Sequence, residues 1–197
     1  MHQIKIGVFG SAFNPPTLGH LDVLKQAAGA FEKILLVPSA SHAFAKTLLP
    51  FSDRAEMLKL FLADAGTLEC EVEICELEME LLRRQPDKPV YTFDLMQELE
   101  EHYPDNTRIG FIRGPDNADP ETWRRFYRAR EIEQRWMIFT ADERMPIRSS
   151  TVRELIGSMK SDDTTINQAS AGHQDDLDNM LMPSVRRYIL EKGLYQS

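Results

Sequence analysis

Cysteine is scarce: the 197 residues hold two, Cys70 and Cys75, in a C-x4-C spacing. That is not a redox C-x-x-C pair, and no second pair completes a zinc site, so both thiols are expected to be reduced, as in a cytoplasmic protein. Long apolar runs are also missing. No window approaches the roughly 18 consecutive apolar residues of a membrane-spanning helix. The opening MHQIKIGVFG enters a strand-like pattern with no basic segment ahead of an apolar one, so export is not expected. Positive charge is in deficit, with 23 Lys and Arg against 31 Asp and Glu and a formal charge of −8. Such a surface repels polyphosphate backbones, which disfavours nucleic acid as a partner. A small anionic ligand stays compatible where cations and helix N-termini gather locally.

Enough apolar material is present for one sizeable core, 42% of the residues being hydrophobic. Strand-like and helix-like segments alternate. Ile4, Ile6 and Val8 begin a strand that ends at Gly10, and from Thr17 the spacing becomes helical through Leu18, Leu21, Leu24, Ala28 and Phe31. KILLVPS is a buried-strand candidate, and the Asp53–Glu56 spacing predicts a capping box opening the next helix. Glu69, Glu71 and Glu73 alternate with Cys70, Val72 and Ile74, then the phase flips through Glu80, which predicts an edge strand with a bulge or turn near Ile74 and Cys75. A helix from about Thr92 to His102, the strand RIGFIRG, an Arg-rich helix around 121–134, the strand WMIFTA and a helix from about Ser150 follow. Five strands alternating with helices predict a doubly wound parallel sheet of order 3-2-1-4-5, with ligands beyond the carboxyl end of the first strand. Residues 1–160 are expected to form this domain, 161–182 an acidic linker, and 183–197 a C-terminal helical segment packed on the same domain.

The loop after the first strand reads GSAFNPPTLGHL. It has neither the G-x-G-x-x-G spacing of dinucleotide-binding oxidoreductases nor the G-x4-G-K-[ST] phosphate loop. Instead Gly10 permits a tight exit, two prolines stiffen the loop, Thr17 caps the helix, and His20 falls one turn later. Free backbone N–H groups, the positive helix end and an imidazole then converge, which suits a phosphate. A capped helix carrying an exposed histidine has the same spacing.

This loop resembles the phosphate-binding motif of the T/H-x-G-H nucleotidyltransferase superfamily, whose fold is Rossmann-like. IRSSTVREL resembles its second motif, I-S-S-T-x-I-R. FIRGPDNADPETW, KPVYTFDLMQEL and the closing LMPSVRRYILEKGLY are similar to segments of the nicotinate- and nicotinamide-nucleotide adenylyltransferases. The resemblance implies transfer of AMP from ATP to nicotinate or nicotinamide mononucleotide, with release of pyrophosphate, in NAD biosynthesis. It implies catalytic roles for His20, Ser150 and Arg153. ATP and its phosphates would be held by Gly10, Ser11, Thr17, His20, Lys46, Gly114, Asp116, Ser149, Ser150 and Arg153. The mononucleotide would meet Phe13, Asn14, Tyr91, Thr92 and Trp123, the last stacking on the pyridine ring. Mg²⁺ would travel with ATP and keep its waters, with no dedicated metal ligands on the chain. The expected partners are therefore ATP and a pyridine mononucleotide, with no nucleic acid and no membrane, and a homo-oligomer is compatible.

Plainer roles compete for several of these residues. Ser149 and Ser150 suit helix caps, Trp123 a core position beside Phe126, and Asp116 a G-P-D-N turn. Three departures from the family pattern stand out. Thr17 stands where many bacterial relatives carry histidine, Arg148 replaces a serine and adds a cation, and only Ala141–Pro146 separate the fifth strand from the second motif. The alternatives are a pantetheine-phosphate adenylyltransferase and a non-catalytic ATP-binding sensor of the same fold.

Overall fold

The computed structural model describes residues 3–40, 48–159 and 175–196. Its strands are β1 (Ile4–Ser11), β2 (Lys33–Pro38), β3 (Glu71–Ile74), β4 (Thr107–Arg113) and β5 (Met137–Thr140). They form one five-stranded sheet, β3-β2-β1-β4-β5, in which every neighbouring pair is parallel. This is the order and direction expected from the strand–helix alternation. The helices are α1 (Leu18–Ala28), α2 (Phe51–Asp64), α3 (Leu77–Arg84), α4 (Thr92–His102), α5 (Pro120–Trp123), α6 (Ala129–Arg135), α7 (Ser149–Met159) and α8 (Pro183–Lys192).

Strand periodicity divides the core into two layers. Phe9, Ile34, Leu36 and Ile112 pack with α1, α2, α7 and α8. Ile6, Val8, Leu35, Val37, Ile109 and Phe111 pack with α3, α4, α5 and α6. Each fully buried aliphatic side chain of this kind contributes about 1.5–3 kcal/mol of transfer free energy. β3 has a neighbour on one side and alternates exposed Glu71 and Glu73 with half-buried Val72 and Ile74, as an edge strand should. Its glutamates pair with Lys33 of β2, Glu71 at 3.1 Å. The C-terminal helix belongs to the first layer: Val185 and Ile189 are buried there. Ser184 donates from both its N–H and Oγ to Asp64 of α2, at 2.7 and 2.9 Å.

Four expectations change. The charged stretch after Cys75 is helix α3 rather than a continued strand. Leu77 and Leu81 lie one turn apart on that helix, and Glu78 is buried because its Oε1 accepts the Ala40 N–H at 3.0 Å. The Arg-rich segment is two short helices, because Arg128 adopts a left-handed conformation (φ 57) and interrupts the α-helical ladder. The expected capping box at Asp53–Glu56 does not open α2, which begins at Phe51 behind Pro50. Asp53 instead accepts the Tyr188 hydroxyl at 2.9 Å. The acidic linker ends earlier than residue 182, since Leu177, Leu181 and Met182 are buried in the core. Hydrophobic anchoring there outweighs the acidic composition that precedes it.

Candidate active site

The β1–α1 loop is held in a conformation its sequence would not adopt freely. Phe13 sits at φ 47, which costs an aromatic residue about 1–3 kcal/mol. Burial offsets that cost: the side chain is 1% exposed, between Phe9 at 5.6 Å and His20 at 5.0 Å. The Asn14–Pro15 peptide is cis. Beneath the loop lies Arg54 of α2, a buried cation that donates to Ala12 O at 2.8 Å and Leu49 O at 3.1 Å. Nothing in the sequence marks this arginine, which reads as one charged position on an amphipathic helix.

Thr17 is the N-cap of α1, as expected, and His20 closes the cap. The Thr17 backbone N–H donates to His20 Nδ1 at 3.0 Å, and Thr17 Oγ1 lies 2.9 Å from the same nitrogen. A backbone N–H can only donate, so Nδ1 is an acceptor and the neutral ring carries its hydrogen on Nε2. Nε2 lies 3.2 Å from Ser11 Oγ. Burial, reinforced by the Arg148 charge, pushes the imidazole pKa down to about 4. At neutral pH His20 is therefore an uncharged N–H donor with a fixed tautomer. It is not a cation or a base.

The second motif reaches back to this loop. Ser149 Oγ donates to Pro15 O and Arg153 Nη1 to Asn14 O, both at 2.7 Å. The short connection between β5 and α7 crosses the start of α1, and Gly19 makes room for it. A Cβ at position 19 would stand 2.8 Å from Ile147 O and 3.4 Å from Met145 O. Arg148 sits at the rim, paired with Asp116 at 2.7 Å and with Glu143.

These elements enclose a cavity of about 250 Å³ beyond the carboxyl ends of β1 and β4, where the strand order reverses. It brings together Gly10, Ser11, Asn14, His20, Gly114, Asp116, Ser149, Ser150 and Arg153 from the sequence expectations. It adds Asn117, Asp142, Arg144 and Arg148. Arg144 and Asp142 lie on an aperiodic connection, where only their position after a strand end could have marked them. Three guanidinium groups, of Arg144, Arg148 and Arg153, meet three carboxylates, of Asp22, Asp116 and Asp142, in this cleft, so the acidic excess of the chain, net −8, is balanced locally. Among the described residues no group of three His, Cys, Asp or Glu side chains could hold a metal ion. No helix among them is long and apolar enough to cross a membrane.

Five expected contacts are not brought to this cavity. Thr17 and Phe13 are buried away from its lining, at 0% and 1% exposure. Tyr91 instead borders a second cleft of about 520 Å³, its ring 4.6 Å from that of Tyr127, and Thr92 starts α4 beside it. Trp123 is core. Its ring is covered by Phe111 at 5.9 Å, Phe126 at 4.7 Å and the Arg113 guanidinium at 4.8 Å, and Nε1 donates to Glu133 at 2.7 Å. Stacking on a pyridine ring is thus not available to Trp123 in this arrangement, because neighbouring aromatic groups already occupy its surface. Lys46 lies outside the described residues.

Comparison with known proteins agrees with this geometry. The cytidylyltransferase-like family model matches residues 8–155. The nicotinate-nucleotide adenylyltransferase of Bacillus subtilis is 27% identical over 98% of this chain and 99% of its own length. A Vibrio parahaemolyticus crystal structure assigned to the same enzymes is 30% identical, with a TM-score of 0.76 over 98% of this chain and 96% of that one. The Plasmodium falciparum nicotinic acid mononucleotide adenylyltransferase complexed with NaAD is 17% identical, covers 98% and 97% of the two chains, and shares the fold at a TM-score of 0.73. The chain belongs to the cytidylyltransferase-like family and, within it, to the nicotinate-nucleotide adenylyltransferases.

Proposed function

We propose that the protein transfers AMP from ATP to the phosphate of nicotinate mononucleotide or its amide, releasing pyrophosphate, in NAD biosynthesis. The observation that carries this reading is the convergence of the His20 Nε2–H, the α7 N-terminus and Arg153 on one cavity at the switch point. The acceptor phosphate has a second pKa near ~6 and is ionised at neutral pH, so no general base is required. One of its oxygens forms a bond to the α-phosphorus while the bond from that phosphorus to the α,β-bridging oxygen breaks. The electron pair leaves on pyrophosphate. A neutral His20 donates a hydrogen bond to an α-phosphate oxygen as charge moves, without transferring its proton. Arg153, oriented by its bond to Asn14 O, receives the β- and γ-phosphates together with Ser149 and Ser150 at the α7 N-terminus. Ser11 and the glycine at position 10 flank the α-phosphate, and Gly114 with Asp116 at the end of β4 suits adenosine.

Mg²⁺, when bound, would neutralise triphosphate charge. The cavity's arginines and hydroxyls would hold the triphosphate that carries the metal and its waters. The end-to-end relatives support a pyridine mononucleotide over phosphopantetheine as acceptor. The test is pyrophosphate release from Mg-ATP with nicotinate mononucleotide, nicotinamide mononucleotide and phosphopantetheine in turn. Turnover is expected with a pyridine nucleotide. ATP binding with no release from any of the three would overturn the reading in favour of a sensor.

A further inference from the structure

The closing G-L-Y segment has no part in the chemistry above, yet the fold brings it to the site. At the end of α8 the Gly193 and Leu194 N–H groups donate to Leu190 O and Ile189 O at 3.2 and 3.0 Å. Gly193 takes the left-handed conformation (φ 61) that this helix stop demands. The chain thereby turns back toward α7, and the Tyr195 carbonyl oxygen comes 3.8 Å from where a Cβ on Gly157 would stand.

There the Tyr195 hydroxyl donates to Asn14 Oδ1 at 2.9 Å, and the Leu49 backbone N–H donates to the same oxygen at 3.3 Å. Because that N–H can only donate, the amide atom facing it is the oxygen, which fixes which way the Asn14 side chain is turned. Its Nδ2 makes no hydrogen bond among the described residues and is the polar atom left for a ligand in the cavity that Asn14 lines. The residue is 2% exposed, and its main-chain oxygen is taken by Arg153. Asn14 is held from three directions: α7, the segment before α2, and the chain after α8. Burial raises the Tyr195 phenol well above its usual range, against the pull of Arg153 and Arg54, so it remains a donor wherever the protein is folded at ordinary pH.

We propose that Tyr195 is a positioning residue for the transfer reaction: its hydroxyl locks the Asn14 amide so that Nδ2 donates to the acceptor mononucleotide's phosphate. This rests on the function proposed above. Tyr195→Phe in the full chain removes one oxygen and keeps the ring. The expected result is a rise of about five-fold in KM for the mononucleotide, the size of one hydrogen bond. The KM for ATP and the unfolding midpoint should hold steady, and Tyr195→Phe should add nothing in an Asn14→Ala background.

A second readout needs no activity. The Asn14 side-chain ¹⁵N–¹H₂ signals, identified by their loss in Asn14→Ala, should shift or broaden in Tyr195→Phe. Unchanged amide signals with an unchanged KM would overturn the proposal. So would parallel rises in both KM values with a lower midpoint, which would mean packing. Wild-type protein that turns over no mononucleotide would refute the functional reading instead, and the amide signals would still decide whether Tyr195 orients Asn14.

Discussion

His20 does two separable jobs, and substitution can take them apart. Its Nδ1 closes the α1 cap, and its Nε2–H, beside Ser11 Oγ in the cavity, is the donor proposed for the α-phosphate. His20→Ala removes both. Loss of the cap contact costs about 0.5–2 kcal/mol of stability, with a further loss from the space left between Phe9 and Phe13. Loss of a preorganised donor to developing charge lowers kcat by about 10²- to 10³-fold. His20→Asn removes one job only: Oδ1 can stand where Nδ1 stood and accept the Thr17 N–H, while nothing reaches the Nε2 position. For a chain of this length each kcal/mol moves the midpoint by about 2–4 °C, so thermal unfolding resolves the two variants. Asn should restore most of the stability lost in Ala and none of the turnover, measured as pyrophosphate release at saturating Mg-ATP. Because His20 is already neutral, wild-type kcat should stay level with pH above the ionisation of the acceptor phosphate near ~6. A His20→Asn variant within ten-fold of wild-type kcat, or a loss confined to KM, would refute the donor role.

Two further outcomes follow from buried groups. Burial raises the Glu78 carboxyl to about 7, against the pull of the Ala40 N–H and Arg54. Its folded pKa lies above the unfolded value of 4.5, so this group's contribution is fully present below pH 4.5 and is lost as pH rises through 7. Glu78→Gln keeps an acceptor for Ala40 and should gain on wild type between about pH 5 and pH 9 by at most about 3 kcal/mol in urea unfolding; a pH-independent difference would mean Glu78 does not titrate there. Trp123→Ala should cost about 3–5 kcal/mol of stability and move both KM values together. A selective rise in mononucleotide KM at an unchanged midpoint would place the ring on the substrate after all.

The doubly wound sheet, its order and its glutamate-bearing edge were legible because strand and helix periodicity are local properties of the chain. The Thr17 cap was legible for the same reason, while the part His20 plays in closing it was not read. The two motifs that line the cavity could also be read directly, since each sits at the start of a helix whose own residues announce it. Period two misled in one place: Glu76, Glu78 and Glu80 alternate with Leu77 and Met79, but burial of Leu77 and Glu78 against β2 and the chain after it selects helix instead. The rest of the site was not written locally. Arg153 to Asn14 and Ser149 to Pro15 span 139 and 134 residues, Arg54 to Ala12 spans 42, and Tyr195 to Asn14 spans 181. Such contacts join side chains whose neighbours in sequence say nothing about their partners in space. The lowered pKa of His20, the orientation of Asn14 and the burial of Trp123 therefore belong to the tertiary structure. Each depends on which donor, acceptor or ring the folded chain places opposite, and only packing decides that.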